Sequence, residues 1–192
     1  MFLIEVGAND GIIATKTRDL ILKEGYCGIL IEPVKYYFNQ LQKNYEGVKG
    51  LTLLNIGIST EDSTKTIYRI NPKYLSENHY GHGVSSLNPN HAGIKRLKSQ
   101  FGDSAVITEQ IQIKTLANII EKYNVSEIDL LVIDTEGNDF NVIQSLDFNV
   151  IKPKKIVYEN KHLGALNKKC EAFLKGFGYS INRAKNDTYC EL

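Results

Sequence analysis

Short apolar runs, each breaking off at a polar or glycine-rich turn and separated by stretches of helical periodicity, constrain this chain most. FLIEVGANDG, CGILIEP, LTLLNIGIS, IDLLVIDTEG and KKIVYEN are the segments in question. A run that is apolar throughout reads as a strand covered on both faces, which is the signature of a parallel sheet between helical layers. Between the first two runs, Ile13, Thr17, Leu20 and Ile21 fall near one helical face and Gly25 stands where that helix would stop. After CGILIEP, with Pro33 suited to a first helical turn, Val34, Tyr37, Phe38 and Leu41 recur at amphipathic spacing. TLANIIEKY, NDFNVIQSL and ALNKKCEAFLKGFG read as further helices, and YSINRAKNDTYCEL as two short strands around a polar turn. The expected fold is α/β: one Rossmann-like domain over residues 1–192, a doubly wound and mostly parallel sheet closed by an antiparallel C-terminal hairpin.

A chain of 192 residues is the size of one ordinary domain and buries a sizeable core without staples. Lys plus Arg number 23 and Asp plus Glu 22, so net charge draws the chain toward neither nucleic acid nor anionic membrane, and neither partner is expected. Cys27, Cys170 and Cys190 are far apart and form no CxxC pair, which speaks against a disulfide framework and a zinc site. No apolar run reaches membrane-spanning length, and the chain opens into a strand pattern without a secretory leader, so a cytoplasmic location is expected.

Two parts of the pattern are less regular. LTLLNIGIS reads as a third strand ending near Asn55 to Ser59, with KTIYRI and VITEQIQIKTL as further extended segments. Residues 71–104 break the rhythm with scattered glycines and three of the four histidines, and read as a long loop or small insertion. Within it His79, His82 and His91, with Ser85 and Ser86, suggest part of a lid over a substrate. Zinc is the weaker reading of these histidines, since their spacing matches no common zinc motif and no cysteine is near, and a polar solvated loop is preferred to it.

The sharpest motif is Glu5-Val-Gly7-Ala8-Asn9-Asp-Gly11 after the first strand, where glycine lets backbone N–H groups approach a ligand closely. A dinucleotide fingerprint beginning at Gly7 needs glycines at positions 9 and 12, where Asn9 and Ile12 stand. Glu32 ends the second strand about twenty residues later, the spacing at which a carboxylate accepts both hydroxyls of a ribose. The turn and the acid together point to a nucleoside-type ligand.

IEVGANDG, GILIEPVKYYFNQLQKNY, LNIGIS, GVSSL, the Thr-Leu before a helix, IDLLVIDTEG and VYEN, in that order, resemble the FkbM-type methyltransferases. The resemblance implies S-adenosyl-L-methionine as cofactor and O-methylation of a small-molecule or carbohydrate acceptor. It implies that Glu5 helps order the cofactor's ammonium group and that Gly7, Ala8, Asn9 and Gly11 lie against its amino acid part. Glu32 and Pro33 then flank the ribose, and Gly57 and Ile58 lie near the adenine. Many members carry a segment ahead of the first strand, which this sequence lacks, so acceptor recognition is less constrained than cofactor binding.

Asp134 and Glu136 follow the IDLLVI strand at the edge where open α/β sheets bind ligands. Asp134 is placed to orient or deprotonate an acceptor hydroxyl, while Glu136 reads equally as a helix-capping acid. His162 is the second candidate base. Asp134, Glu136, Glu159 and His162 would suit a hard divalent cation, but no ligand spacing fixes one and no metal is expected. An oxidoreductase using NAD or a nucleotide sugar, and a cofactor-binding module without catalysis, are the competing functions.

Overall fold

The computed structural model describes residues 1–13, 15–77 and 79–192; Ala14 and Asn78, inside the expected first helix and the expected loop, lie outside the described residues. In chain order the first half runs β1 (Phe2–Val6), α1 (Arg18–Glu24), β2 (Cys27–Ile31), α2 (Lys35–Asn44), β3 (Leu51–Leu54), β4 (Gly57–Ile58), β5 (Ser63–Ile70), β6 (Ser85–Ser86) and α3 (Ala92–Phe101). The second half runs β7 (Val106–Lys114), α4 (Leu116–Lys122), β8 (Leu130–Ile133), α5 (Asp139–Gln144), β9 (Lys155–Glu159), α6 (Leu166–Gly176), β10 (Ser180–Arg183) and β11 (Asp187–Glu191).

Seven strands form the central sheet in the order β10-β11-β9-β8-β1-β2-β3. From β3 to β9 the neighbours are parallel, and β11 runs antiparallel to both β9 and β10. The chain winds outward from β1 through β2 to β3, then restarts at β8 on the other side of β1. A cleft opens beyond the carboxyl ends of β1 and β8 at this switch of direction. The α/β class and the antiparallel end are as the sequence implies. The hairpin has an added twist, since β11 inserts between β9 and β10.

Both faces of the sheet are covered. On β1, Leu3 packs with Ile21, Phe38 and Leu41 of α1 and α2, whereas Ile4 and Val6 face Leu116, Val142, Ile143 and Leu174 of α4, α5 and α6. This alternation follows from the two-residue period of a strand and explains why the run is apolar throughout.

A second sheet, β4-β7-β5-β6, corrects the reading of LTLLNIGIS as one strand. The chain leaves the central sheet at Leu54, and Asn55 donates through its side-chain amide to the carbonyls of Glu32 and Pro33, both at 2.9 Å. Gly57 and Ile58 then pair with Ile113 and Lys114 of β7. The segment 71–104, read as loop, contains α3 besides 3-10 turns at Pro72–Tyr74 and Tyr80–Gly83. Ile94 and Leu97 of α3 pack on Ile70, Val84 and Ala105, a satellite core hidden among glycines and polar residues. His82 and His91 are 9% and 7% exposed, so this segment is not the solvated loop its composition suggests. No helix among the described residues is long and apolar enough to cross a membrane.

The first helix starts at Arg18, later than its periodicity implies, because the preceding polar groups serve β1. Thr17 donates its hydroxyl to Glu5 at 2.5 Å, and Thr15 does so at 3.3 Å. Burial nonetheless pushes the Glu5 carboxyl up to about 7, against the opposing pull of Thr17 and Thr15. Pro33 lies before the helix rather than in its first turn, since Val34 caps α2.

Gly7, at a φ of +90°, would place a Cβ 1.9 Å from the Asp134 carbonyl oxygen, whereas Gly47, at +78°, would meet nothing within 4 Å. Gly7→Ala is therefore expected to lower stability by about 3 kcal/mol or more and Gly47→Ala by about 1 kcal/mol, read from urea unfolding. Similar losses at the two sites would contradict the close approach. For Glu5 the fold holds a proton that the unfolded chain releases near the ordinary glutamate value of 4.5. Its contribution is present below that value and is lost as pH rises through about 7. Glu5→Gln, which needs no proton, should gain on the parent between pH 5 and pH 8 by up to about 3 kcal/mol in paired denaturation curves. Parallel curves would refute this.

Candidate functional site

The turn after β1 is built from three consecutive constraints. Gly7 and Ala8 both donate their N–H to the carbonyl of Ile31, at 2.9 and 3.0 Å, which folds the chain back over the end of β2. Asn9 continues at a φ of 49°, a left-handed conformation that asparagine tolerates better than most side chains. Its amide donates to the His82 carbonyl at 2.9 Å, tying the turn to the 71–104 segment. Asp10 then accepts from the N–H groups of Ile12 and Ile13, at 2.8 and 2.7 Å. Gly11 answers a packing demand, since a Cβ there would lie 2.3 Å from the Tyr45 ring.

Glu32 closes the other side. One carboxylate oxygen accepts from the Asn9 N–H at 2.9 Å and the other from the Val34 N–H at 2.8 Å, so a single buried acid fastens the β1 turn to the start of α2. Burial raises its carboxyl to about 7; the two backbone donors oppose this, and Glu109 and Asp10 add to it.

A cavity lies between these strand ends and the second sheet. Gly7, Asn9, Glu32, Pro33, Gly57, Ile58, Asp134 and Glu136 line it, all residues singled out from sequence. Glu5, Ala8, Gly11 and His162 stand outside the lining. The Glu5 carboxylate is turned toward Thr15 and Thr17, and Ala8 is 1% exposed in the core. The second sheet contributes an apolar wall of Ile67, Ile111 and Ile113, and the 71–104 segment contributes Gly83, Ser85, Ser86 and Leu87. The alternation of β5 and β7 gave the only sequence sign of that wall, and nothing short of the folded chain places it over the cleft.

At the end of β8 the acids crowd together. Asp134 lies 3.5 Å from the Lys16 ammonium, which also meets Asp187 at 3.1 Å. Burial raises the Asp134 carboxyl while Lys16 pulls it down. Glu136, at a φ of 52°, turns back from the helix start. Asn138 stands at the N-cap of α5 without a side-chain cap bond. Asp139, in the first turn, reaches back to accept from Gly137 N–H at 3.2 Å and Thr135 N–H at 3.4 Å, with its carboxyl pushed up to about 6 by burial and by Asp134. The Glu136 Oε2 comes within 3.2 Å of His162 Nε2 and 3.3 Å of His91 Nε2. Glu159 approaches His162 at 3.9 Å, and burial with Asp134, Glu136 and Asp139 nearby raises its carboxyl to about 8. Burial, together with His91 and Lys161, drives the His162 imidazole down to about 4, so it is neutral near pH 7. His91 was visible in the sequence only as part of a histidine-bearing loop, and Asp139 only as one more acid after a strand.

The comparisons with known proteins agree with this architecture. The FkbM methyltransferase of Methylobacillus flagellatus KT is 14% identical and superimposes with a TM-score of 0.59 over 98% of this chain and 42% of its own. The chain thus spans less than half the length of that protein. The precorrin-6y C5,15-methyltransferase of Geobacter metallireducens GS-15 is 12% identical over 99% of this chain and 77% of its own, with a TM-score of 0.48. The ribosomal protein L11 methylase of Lactobacillus delbrueckii subsp. bulgaricus is 13% identical over 98% and 67%, with a TM-score of 0.47. No curated protein matches the sequence significantly. The methyltransferase FkbM domain, by contrast, matches residues 5–181, nearly the whole of the strand, turn and cavity framework described above, and the chain belongs to the FkbM methyltransferase family.

Proposed function

We propose that this chain transfers a methyl group from S-adenosyl-L-methionine to a hydroxyl of a small-molecule or carbohydrate acceptor. One observation carries the reading: the Gly7 turn, the Glu32 carboxylate and the Asp134 carboxylate, from the ends of three adjacent strands, converge on one cavity at the switch point of the sheet. The donor set suits that cofactor. Each oxygen of Glu32 is used by only one backbone N–H, which leaves lone pairs for two ribose hydroxyls. The isoleucine wall beside Glu32 and Pro33 suits an adenine ring.

When bound, the cofactor supplies an electrophilic methyl group on a sulfonium, and displacement needs an aligned nucleophile and the loss of one proton. Ser85, Ser86, Asp134 and Glu136 form the polar side of the cavity, matched to an acceptor rich in hydroxyls. Asp134 is the group for the acceptor proton. It ends β8 beside Gly7 and is partly buried; burial raises its carboxyl, which strengthens it as a proton acceptor, and the Lys16 ammonium at 3.5 Å opposes that rise. A second carboxylate, Glu136, stands on the same strand-end loop with its carboxyl raised to about 7 by burial and by Asp134.

Two measurements test this reading. In calorimetry the parent should bind S-adenosylhomocysteine, and Glu32→Ala should weaken it about tenfold to a hundredfold while circular dichroism stays unchanged. Tight NAD binding with none of the homocysteine ligand would replace the reading with an oxidoreductase. In a methyl-transfer assay against sugars and sugar nucleotides with labelled cofactor, Asp134→Asn should lower turnover by about two to four orders of magnitude and change cofactor affinity far less. Asparagine preserves the shape and hydrogen bonding of aspartate but accepts no proton, so parental turnover in this variant would remove Asp134 from the role.

A further inference from the structure

We infer that His91, Glu136 and His162 form a binding site for a divalent transition-metal ion at the rim of the cavity, in which His91 joins two residues of the cluster weighed from sequence. Three donor atoms from three separate segments meet there: Glu136 from the loop after β8, His162 from the loop after β9, and His91 from the start of α3. Glu136 Oε2 is 3.3 Å from His91 Nε2 and 3.2 Å from His162 Nε2. Two ligands about 2.1 Å from one ion stand about 3.0 to 3.4 Å apart at octahedral or tetrahedral angles, so these separations are edges of a coordination polyhedron.

The second observation concerns His91 itself. It is 7% exposed, its ring lies 4.5 Å from that of His162, and among the described residues neither of its ring nitrogens has a hydrogen-bond partner. A buried imidazole normally secures at least one of them. Its Nε2 faces the Glu136 carboxylate closely but without the alignment of a hydrogen bond, as expected when nitrogen and oxygen lone pairs aim at a shared third point. Glu159, 7% exposed, likewise leaves Oε2 unpartnered beside His162.

Two imidazoles and a carboxylate select an ion of borderline softness, such as Zn²⁺, Co²⁺ or Ni²⁺, over Mg²⁺ or Ca²⁺, which prefer all-oxygen sets. Three protein ligands leave coordination positions open. Glu136 also lines the cavity, so an ion here would hold an acceptor oxygen near Asp134 and make its proton easier to remove. That role rests on the methyl-transfer reading; binding of the ion does not.

The test is titration of the untagged, chelator-treated full chain with CoCl₂, followed by visible absorption, and with ZnCl₂ and MgCl₂ by calorimetry. Expected are d–d bands of ligated Co²⁺ at one equivalent, displaced by Zn²⁺ and not by Mg²⁺. His91→Gln and His162→Gln should each weaken binding about tenfold or more. His79→Gln, in the same segment but outside the cluster, should not. Metal-free melting of every variant shows whether it folds, and a variant that unfolds passes the decision to the other. No binding, or binding indifferent to both His91→Gln and His162→Gln, overturns the inference. So does preferential Mg²⁺ binding lost on Asp134→Asn but not on His91→Gln. S-adenosylhomocysteine binding in the same chelator-treated samples separates the two readings: if it persists without metal binding only this site falls, and if it fails while metal binds only the cofactor reading falls.

Discussion

At Gly7 the backbone leaves β1 and turns over the end of β2 with no room for a side chain against the Asp134 carbonyl. Its N–H and that of Ala8 share the Ile31 carbonyl, so three adjacent strands, β2, β1 and β8, are brought to a common edge within one residue of backbone. Everything that lines the cavity is referenced to this point. The Glu32 carboxylate clamps the same turn from the β2 side, and Asp134 begins the β8 loop beside it. A bulkier residue at position 7 would push the turn away from β8 and separate these acids.

The second dependence is electrostatic. Glu5, Glu32, Glu136, Asp139 and Glu159 are all raised above ordinary carboxylate values, and in every case burial is the largest cause. Stability alone does not account for so many buried acids at one end of a sheet, because each must be desolvated to be there. Backbone N–H groups satisfy Glu32 and Asp139, and hydroxyls satisfy Glu5. Glu136 and Glu159 face histidines instead. The acids satisfied by backbone or hydroxyl donors are thus distinct from Glu136 and Glu159, which face histidines.

The second sheet and α3 turn a generic cleft into an enclosed site. The chain leaves the central sheet at Leu54, and β4 carries it into the sheet of β5 and β7, whose isoleucines face back toward Glu32 and Pro33. The following segment returns across the opening, anchored by the Asn9 amide on the His82 carbonyl and by the Ser86 hydroxyl on the Glu136 carbonyl. It delivers two serines and the buried His91 to the side of the cavity that the central sheet leaves open. Membership of the FkbM methyltransferase family accounts for the framework.

The strand and helix alternation was legible in the sequence because periodicity is local: an apolar run covered on both faces, or a repeat near 3.6 residues, needs no knowledge of distant partners. The same holds for Gly7, Asn9, Glu32 and Asp134, which end strands, and strand ends in a doubly wound sheet converge by topology. Glu5 sits on β1, and one residue of strand register decides which face a side chain takes; here Thr17 and Thr15 meet its carboxylate. Gly11 likewise reflects contact with Tyr45, a residue that only the packing of α2 brings near. The break after Leu54, the helix inside 71–104 and the meeting of His91 with Glu136 and His162 depend on pairings between remote segments. Local patterns do not encode those pairings; burial of Ile94 and Leu97, and the ladder between β5 and β7, decide them in three dimensions.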